Sequence, residues 1–311
     1  MLSAINHQIQ GIWPKKTTFT VNHIPDMAGK VVIVTGANRG IGKEIVLLEK
    51  NAKVYLAARN DGRAQKAIDD LFTLTGRKAL FLKLDLSDLK AVKTAAQEFL
   101  SHETRLDVLF NNAGVMAPPK EDITADGFDL QFGINVLGHF FFTKQLLPIL
   151  LRTASSSPTN TTRIVNLSSS LHAFRTTIQF DTLKDGPARR RKSVAWLYTQ
   201  SKFANVVFAL ELARRYGKNG IVSTSVHPGA IETDLHSHML GVARKQGKLL
   251  FANAERGALT PLYAGASAEG ADFNGKYLVP WANIGAAQRD TQEQDIGTKL
   301  WDWMEEQVHD L

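Results

Sequence analysis

Tyr198 and Lys202 stand four residues apart in the run Tyr198-Thr199-Gln200-Ser201-Lys202. On a helix that spacing puts a phenol and an ammonium on one face. A free phenol titrates at about 10 and is a poor base at neutral pH, whereas a fixed positive charge beside it stabilises the phenolate. Lys202 is therefore the natural partner of Tyr198 in a proton-transfer pair. A second stretch, Thr35-Gly36-Ala37-Asn38-Arg39-Gly40-Ile41-Gly42, follows the apolar run Val31-Val32-Ile33-Val34 and precedes a helical pattern with Ile41, Ile45 and Leu48 on one face. Strand, glycine turn and helix in that order aim backbone N–H groups and a helix dipole at a pyrophosphate. A phosphate-binding NTPase loop would need Gly at 37 and Ser or Thr at 44, but this chain has Ala37 and Glu44.

These residues have to be positioned by elements, and the pattern of elements is regular. Short β-branched runs at 30–34, 53–58, 78–84, 106–110, 163–167, 221–226 and 276–279 alternate with amphipathic stretches such as 91–100 and 196–216. Strands apolar on both faces, separated by helices, imply a parallel sheet covered on both sides. The expectation is one doubly wound α/β Rossmann domain with a sheet of about seven parallel strands over 29–311, preceded by an N-terminal extension, 1–28. The only linker-like stretch is 153–162.

Composition narrows the function classes. The 311 residues are 44% hydrophobic and 22% charged, which fits a folded domain and excludes disordered or fibrous chains. With no cysteine, thiolate metal sites, disulfides and cysteine nucleophiles are excluded, and a reducing compartment fits. The best apolar stretch, 140–151, is broken by Lys144 and Pro148, so no transmembrane span is expected; nor does 1–20 have the apolar core of a signal peptide. A cytoplasmic location is expected, with peripheral membrane association left open. The excess of 37 basic over 30 acidic residues draws on Arg189-Arg190-Arg191-Lys192, which reads as a solvated loop rather than a nucleic-acid contact. His236 and His238 alternate too closely for a helical metal pair, and no metal is expected.

A third stretch, Asn111-Asn112-Ala113-Gly114 after a strand, completes a set with the glycine turn and the Tyr198/Lys202 pair. Together they resemble the short-chain dehydrogenase/reductase family, of the retinol-dehydrogenase-like and WW-domain-oxidoreductase-like kind, over about residues 28 to 305. The resemblance implies that Tyr198 exchanges a proton with the substrate oxygen while hydride moves to or from nicotinamide, and that Lys202 also holds the nicotinamide ribose. It implies a catalytic Ser at the end of the strand 163–167. Among the consecutive Ser168, Ser169 and Ser170 that is Ser169, which would polarise a carbonyl. It also implies that Asn135 helps hold a proton-relaying water. The cofactor contacts it implies are Gly36, Asn38, Arg39, Gly40, Ile41, Gly42, Asp85, Leu86, Asn112, Ala113, Gly114, Tyr198, Lys202, Pro228, Gly229, Ile231 and Thr233.

Where a dinucleotide fold for NAD places an acid to hold the ribose, this chain has Arg59-Asn60. A cation there suits a 2′-phosphate, with Arg39 in reach, and favours NADP(H); the alternative gives Asp61 the acidic role. The resemblance implies that 235–255 form the substrate lid, and the apolar residues there point to a small lipophilic carbonyl or alcohol. His172 is a candidate for the pocket wall and His227 reads as structural. A homodimer or homotetramer is what the resemblance implies for assembly. Two departures stand out. The helix after the glycine turn is about two residues short, with Asn51 able to make a tight left-handed exit, and the loop 176–192 before Tyr198 is long. They motivate an alternative reading, a cofactor-binding regulatory or scaffold protein with little catalysis.

Overall fold

In the computed structural model, residues 16–48, 50–158, 161–231 and 252–311 are described. The apolar runs form β1 (Val31–Thr35), β2 (Lys53–Ala58), β3 (Leu80–Lys83), β4 (Val108–Asn111), β5 (Thr162–Leu167), β6 (Ile221–Val226), β7 (Tyr277–Val279) and β8 (Asn283–Gly285). They make one sheet in the order β3-β2-β1-β4-β5-β6-β7-β8. All pairings are parallel except the last, in which β8 folds back antiparallel on β7. The sheet thus has eight strands against about seven expected. The extra one is only three residues long and half-exposed, too short to carry an alternating pattern.

Strand order reverses between β1 and β4, so the chain leaves these neighbours toward opposite faces and a crevice opens at their carboxyl ends. Helices α1 (Gly40–Leu48), α2 (Asp61–Thr75), α3 (Leu89–His102), α4 (Leu130–Ser155), α5 (Val194–Tyr216), α6 (Ala254–Ala266) and α7 (Gln294–Gln307) cover both faces. One layer packs α3, α4, α5 and α7 on Ile33, Leu109 and Ile164; the other packs α1, α2 and α6 on Val32, Val34, Phe110 and Val165. The alternate residues of each strand therefore serve opposite cores. Residues 16–28 are not a detached tail: Phe19, Ile24 and Met27 are buried in the second layer, with the Phe19 ring 4.8 Å from that of Tyr263.

Two helices bear on the site. α4 is long and apolar enough to cross a membrane by length and composition, but 78% of its most apolar window is buried inside the protein. Its outer side is covered by α7, whose Trp301 meets Phe140 edge-on at 5.1 Å and whose Trp303 meets Phe132 at 5.7 Å. Near its start, Gly133–Leu137 form one π turn, a departure from the α-ladder common beside functional sites. α5 is buried from Leu197 to Ala213, so its polar residues Tyr198, Ser201, Lys202 and Asn205 take partners within the protein or face the cavity described below. α1 is short, as the sequence suggests, and Asn51 takes the left-handed turn at φ 63° that brings Lys53 into register with Val31.

Candidate active site

The crevice above the β1–β4 reversal encloses a cavity of about 380 Å³ running from the glycine turn to Tyr198. Backbone shapes its first half. Gly36 and Gly40 sit at φ 67° and 54°, where a Cβ is strained. A Cβ on Gly36 would lie 2.9 Å from Ala113 Cα, and one on Gly42 would lie 2.6 Å from Asn112 Nδ2 and 2.8 Å from Gly36 O. These glycines let α1 and the loop after β4 close on each other while leaving N–H groups at the helix start facing the cavity, a cradle suited to a pyrophosphate. The cradle is braced by Thr35, whose Oγ1 accepts from both Asn112 N and Ala113 N at 2.9 Å, while Asn112 Nδ2 donates to Thr35 O at 2.7 Å.

At the outer end of this half, Arg39 and Arg59 line the cavity and are exposed at its rim. Asn60, expected as a contact, does not line it. Its Oδ1 accepts from Arg63 N at 2.9 Å as the cap of α2. Asp61 follows on the first turn of α2, paired with Lys83, and is likewise outside the cavity wall. Asp85 and Leu86 are on the wall; Asp85 Oδ1 accepts from Ser87 N and Ser87 Oγ, which fixes the turn.

The second half is lined by Ser169, Tyr198 and Lys202. α5 presents the phenol and the ammonium together, with Lys202 Nζ 5.8 Å from the Tyr198 ring centre. Ser169 is delivered by the end of β5, and Leu171 N donates to its Oγ at 3.2 Å, leaving the hydroxyl proton for its hydrogen bond to Tyr198. Lys202 Nζ donates to Leu167 O at 2.9 Å, and Ser168 Oγ donates to Lys202 O at 2.7 Å, so α5 is tied to β5 on both sides of the pair.

Protonation departs from the sequence-based expectation. Burial pushes the Tyr198 phenol above its ordinary value, and the bond from Ser169 only partly opposes this. Burial also pulls Lys202 down to about 7. Both groups lose water together, and desolvation disfavours both charged forms. The resting phenol carries its proton, which equips it as a donor.

Asn135 sits behind the wall rather than on it. Its Oδ1 accepts from Val115 N at 2.8 Å, and its Nδ2 donates to Val115 O and Ser201 Oγ. Its backbone carbonyl, within the π turn, takes Asn205 Nδ2 at 2.7 Å and lies 3.1 Å from His139 Nδ1. With both carbonyl lone pairs engaged, any water between Asn135 and Lys202 would have to use Oδ1. That atom and Lys202 Nζ lie 3.2 Å and 3.7 Å from the point where a Cβ on Gly114 would stand, so the missing side chain keeps the space open.

Several participants carry no motif signal. His139 Nε2 lies 2.9 Å from Thr35 Oγ1, so one buried imidazole joins the Asn135 carbonyl to the bracing threonine of the cofactor half. Desolvation, with Lys202 also nearby, holds its pKa at about 4, which keeps it neutral. His227, read as structural, is on the cavity wall with Pro228, Gly229 and Ile231. His172, a candidate for the wall, is instead fully buried behind Ser169. Arg189, expected in a solvated loop, is buried against Asp129 at 2.9 Å and donates to Lys120 O and Asp122 O, pinning the 176–192 loop. Thr233 and residues 235–251 of the expected lid lie outside the described residues, as do His236 and His238. Among the described residues no cluster of His, Asp or Glu could hold a metal ion.

Comparison with known proteins agrees with this geometry. The short chain dehydrogenase family model matches residues 30–179. A short-chain dehydrogenase/reductase of Armillaria gallica is 50% identical over 301 residues, covering 96% of each chain. Human retinol dehydrogenase 11 is 37% identical over 281 residues, 89% of this chain and 85% of that one. Among solved structures, an uncharacterised protein of Mycobacterium paratuberculosis superposes with a TM-score of 0.73 at 29% identity, covering 94% of this chain and 98% of that one. By sequence over nearly its whole length, and by the fold and site just described, this oxidoreductase belongs to the short-chain dehydrogenase/reductase family.

Proposed function

We propose that the protein is an NADP(H)-dependent reductase or dehydrogenase acting on a small lipophilic aldehyde or ketone, or the corresponding alcohol. The observation that carries the reading is the convergence of Tyr198, Ser169 and Lys202 at one end of a cavity whose other end is a glycine cradle rimmed by Arg39 and Arg59. The cradle suits a dinucleotide because its tight turn is built on Gly36 and Gly42, where a Cβ would clash with Ala113 Cα and Asn112 Nδ2 and force the turn apart. NADP(H), when bound, supplies or takes up the hydride. Arg39 and Arg59 would hold a 2′-phosphate by charge-assisted bonds.

In the reducing direction the buried, protonated Tyr198 donates its proton to the substrate oxygen. Ser169 donates a second hydrogen bond to the same oxygen, polarising the carbonyl. Lys202, held by Leu167 O, stands where its charge stabilises the phenolate left behind. Val115, Met116 and Leu171 add apolar wall to the cavity, and relatives named as retinol dehydrogenases support a lipophilic substrate. Of the two motives for the scaffold alternative, the short α1 is met by the left-handed turn at Asn51, while the long 176–192 loop stays. Parallel titration with NADPH and NADH by nicotinamide fluorescence, followed by an aldehyde and ketone panel, tests the reading. Tight NADPH binding with NADPH oxidation is expected; binding of neither nucleotide would overturn it.

A further inference from the structure

His172 has no contact with the cavity, yet its ring is fully buried and both ring nitrogens are engaged. Gln288 N, in the stretch before α7, donates to Nε2 at 3.0 Å. The ring proton must therefore lie on Nδ1, which donates to the backbone carbonyl of Ser169 at 2.7 Å. His172 N also donates to that carbonyl, at 3.1 Å. The ring packs on Tyr277 of β7, centroids 4.8 Å apart. Ser169 itself is in extended backbone, φ −160° and ψ 157°, at the start of the one-turn helix Ser170–Phe174. Its carbonyl and its hydroxyl are thus held from opposite sides, one by His172 and the other by Leu171 N.

From this we infer that His172 is a positioning residue for Ser169. Its imidazole transmits the position of the C-terminal segment around Gln288 to the catalytic serine, and so sets the aim of the hydroxyl that polarises the substrate. The inference rests on the reductase reading for its consequence but not for its geometry. Placement matters here because misplacement of a catalytic group by about 1 Å can cost about a hundredfold in rate.

Asn and Gln at position 172 separate the two bonds. An Asn amide stands where Nδ1 stood and can still donate to the Ser169 carbonyl; a Gln amide reaches the Nε2 position and leaves that carbonyl without its side-chain donor. His172→Gln is expected to lower kcat about tenfold or more with NADPH affinity unchanged, and His172→Asn to restore most of it. In a Ser169→Ala background His172→Gln should cost nothing further, because it acts through a hydroxyl that is gone. Equal kcat for Gln and Asn variants, or a full additional loss in the Ser169→Ala background, would overturn the inference. A crystal structure of His172→Gln decides independently of turnover. The Ser169–Tyr198 hydrogen bond should be broken, and its persistence would refute the role even if no substrate were found.

Discussion

The two halves of the cavity are built on opposite principles. At the end proposed for adenosine, the cavity is faced by backbone and by the guanidinium groups of exposed arginines, and Gly36 and Gly42 let the backbone pack closely where a Cβ would clash. At the other end Tyr198, Lys202 and Asn135 are buried and Ser169 is half-buried, and each buried group is held by a partner from another element: Tyr198 by Ser169, Lys202 by Leu167, Asn135 by Val115, Ser201 and Asn205. The adenosine end can lose a side chain and weaken binding by degrees. The catalytic end is a connected polar network, in which removing one member strands another.

That contrast predicts a graded series of effects. The largest belongs to the buried pair: Lys202→Met should lower kcat about a hundredfold or more, since the phenolate loses its counter-charge, while the protein still folds around the apolar replacement. Steady-state kinetics checks it, and an unchanged kcat would remove Lys202 from the mechanism. At the exposed end, Arg59→Asp should weaken NADPH about tenfold and leave NADH little changed, as expected for one charge-assisted contact at a wet rim. Parallel fluorescence titrations read this directly. An equal loss for both nucleotides would mean that Arg59 does not sense the 2′-phosphate.

The smallest effect is on stability. Lys202 titrates at about 7 when folded and at about 10.4 when free, so between these values the unfolded chain binds the extra proton. Stability of the nucleotide-free protein should therefore rise with pH from about 7 toward 10, and Lys202→Met should flatten that rise. Thermal melts of the two proteins across this range provide the comparison. Parallel profiles would show that Lys202 keeps its charge in the fold.

What the amino-acid sequence disclosed follows the same division. The glycine turn, Asn112-Ala113-Gly114 and the Tyr198/Lys202 pair are local spacings whose chemistry depends on short-range geometry, and the structure places them on one cavity as expected. Alternation of apolar runs was enough to anticipate a doubly wound parallel sheet, while β8, three residues long, carried no period to read. The network behind the site was not legible because its bonds span the chain. His139 meets Thr35 across 104 positions and His172 meets Gln288 across 116. Asn60, off the cavity wall, has a local role instead: its Oδ1 caps α2 by accepting from Arg63 N, three residues away. Protonation was also beyond reach, since the depth of burial that raises the phenol and lowers Lys202 is a property of the packed core.

The central claim is that a buried, protonated Tyr198 delivers the proton at the substrate oxygen. The most direct test mixes NADPH-saturated wild type and Tyr198→Phe with an excess of a turned-over aldehyde and follows nicotinamide absorbance through a single turnover. NADPH should bind both proteins equally, and the Phe variant should oxidise it about a thousandfold more slowly. Oxidation at the wild-type rate by the Phe variant would contradict the account.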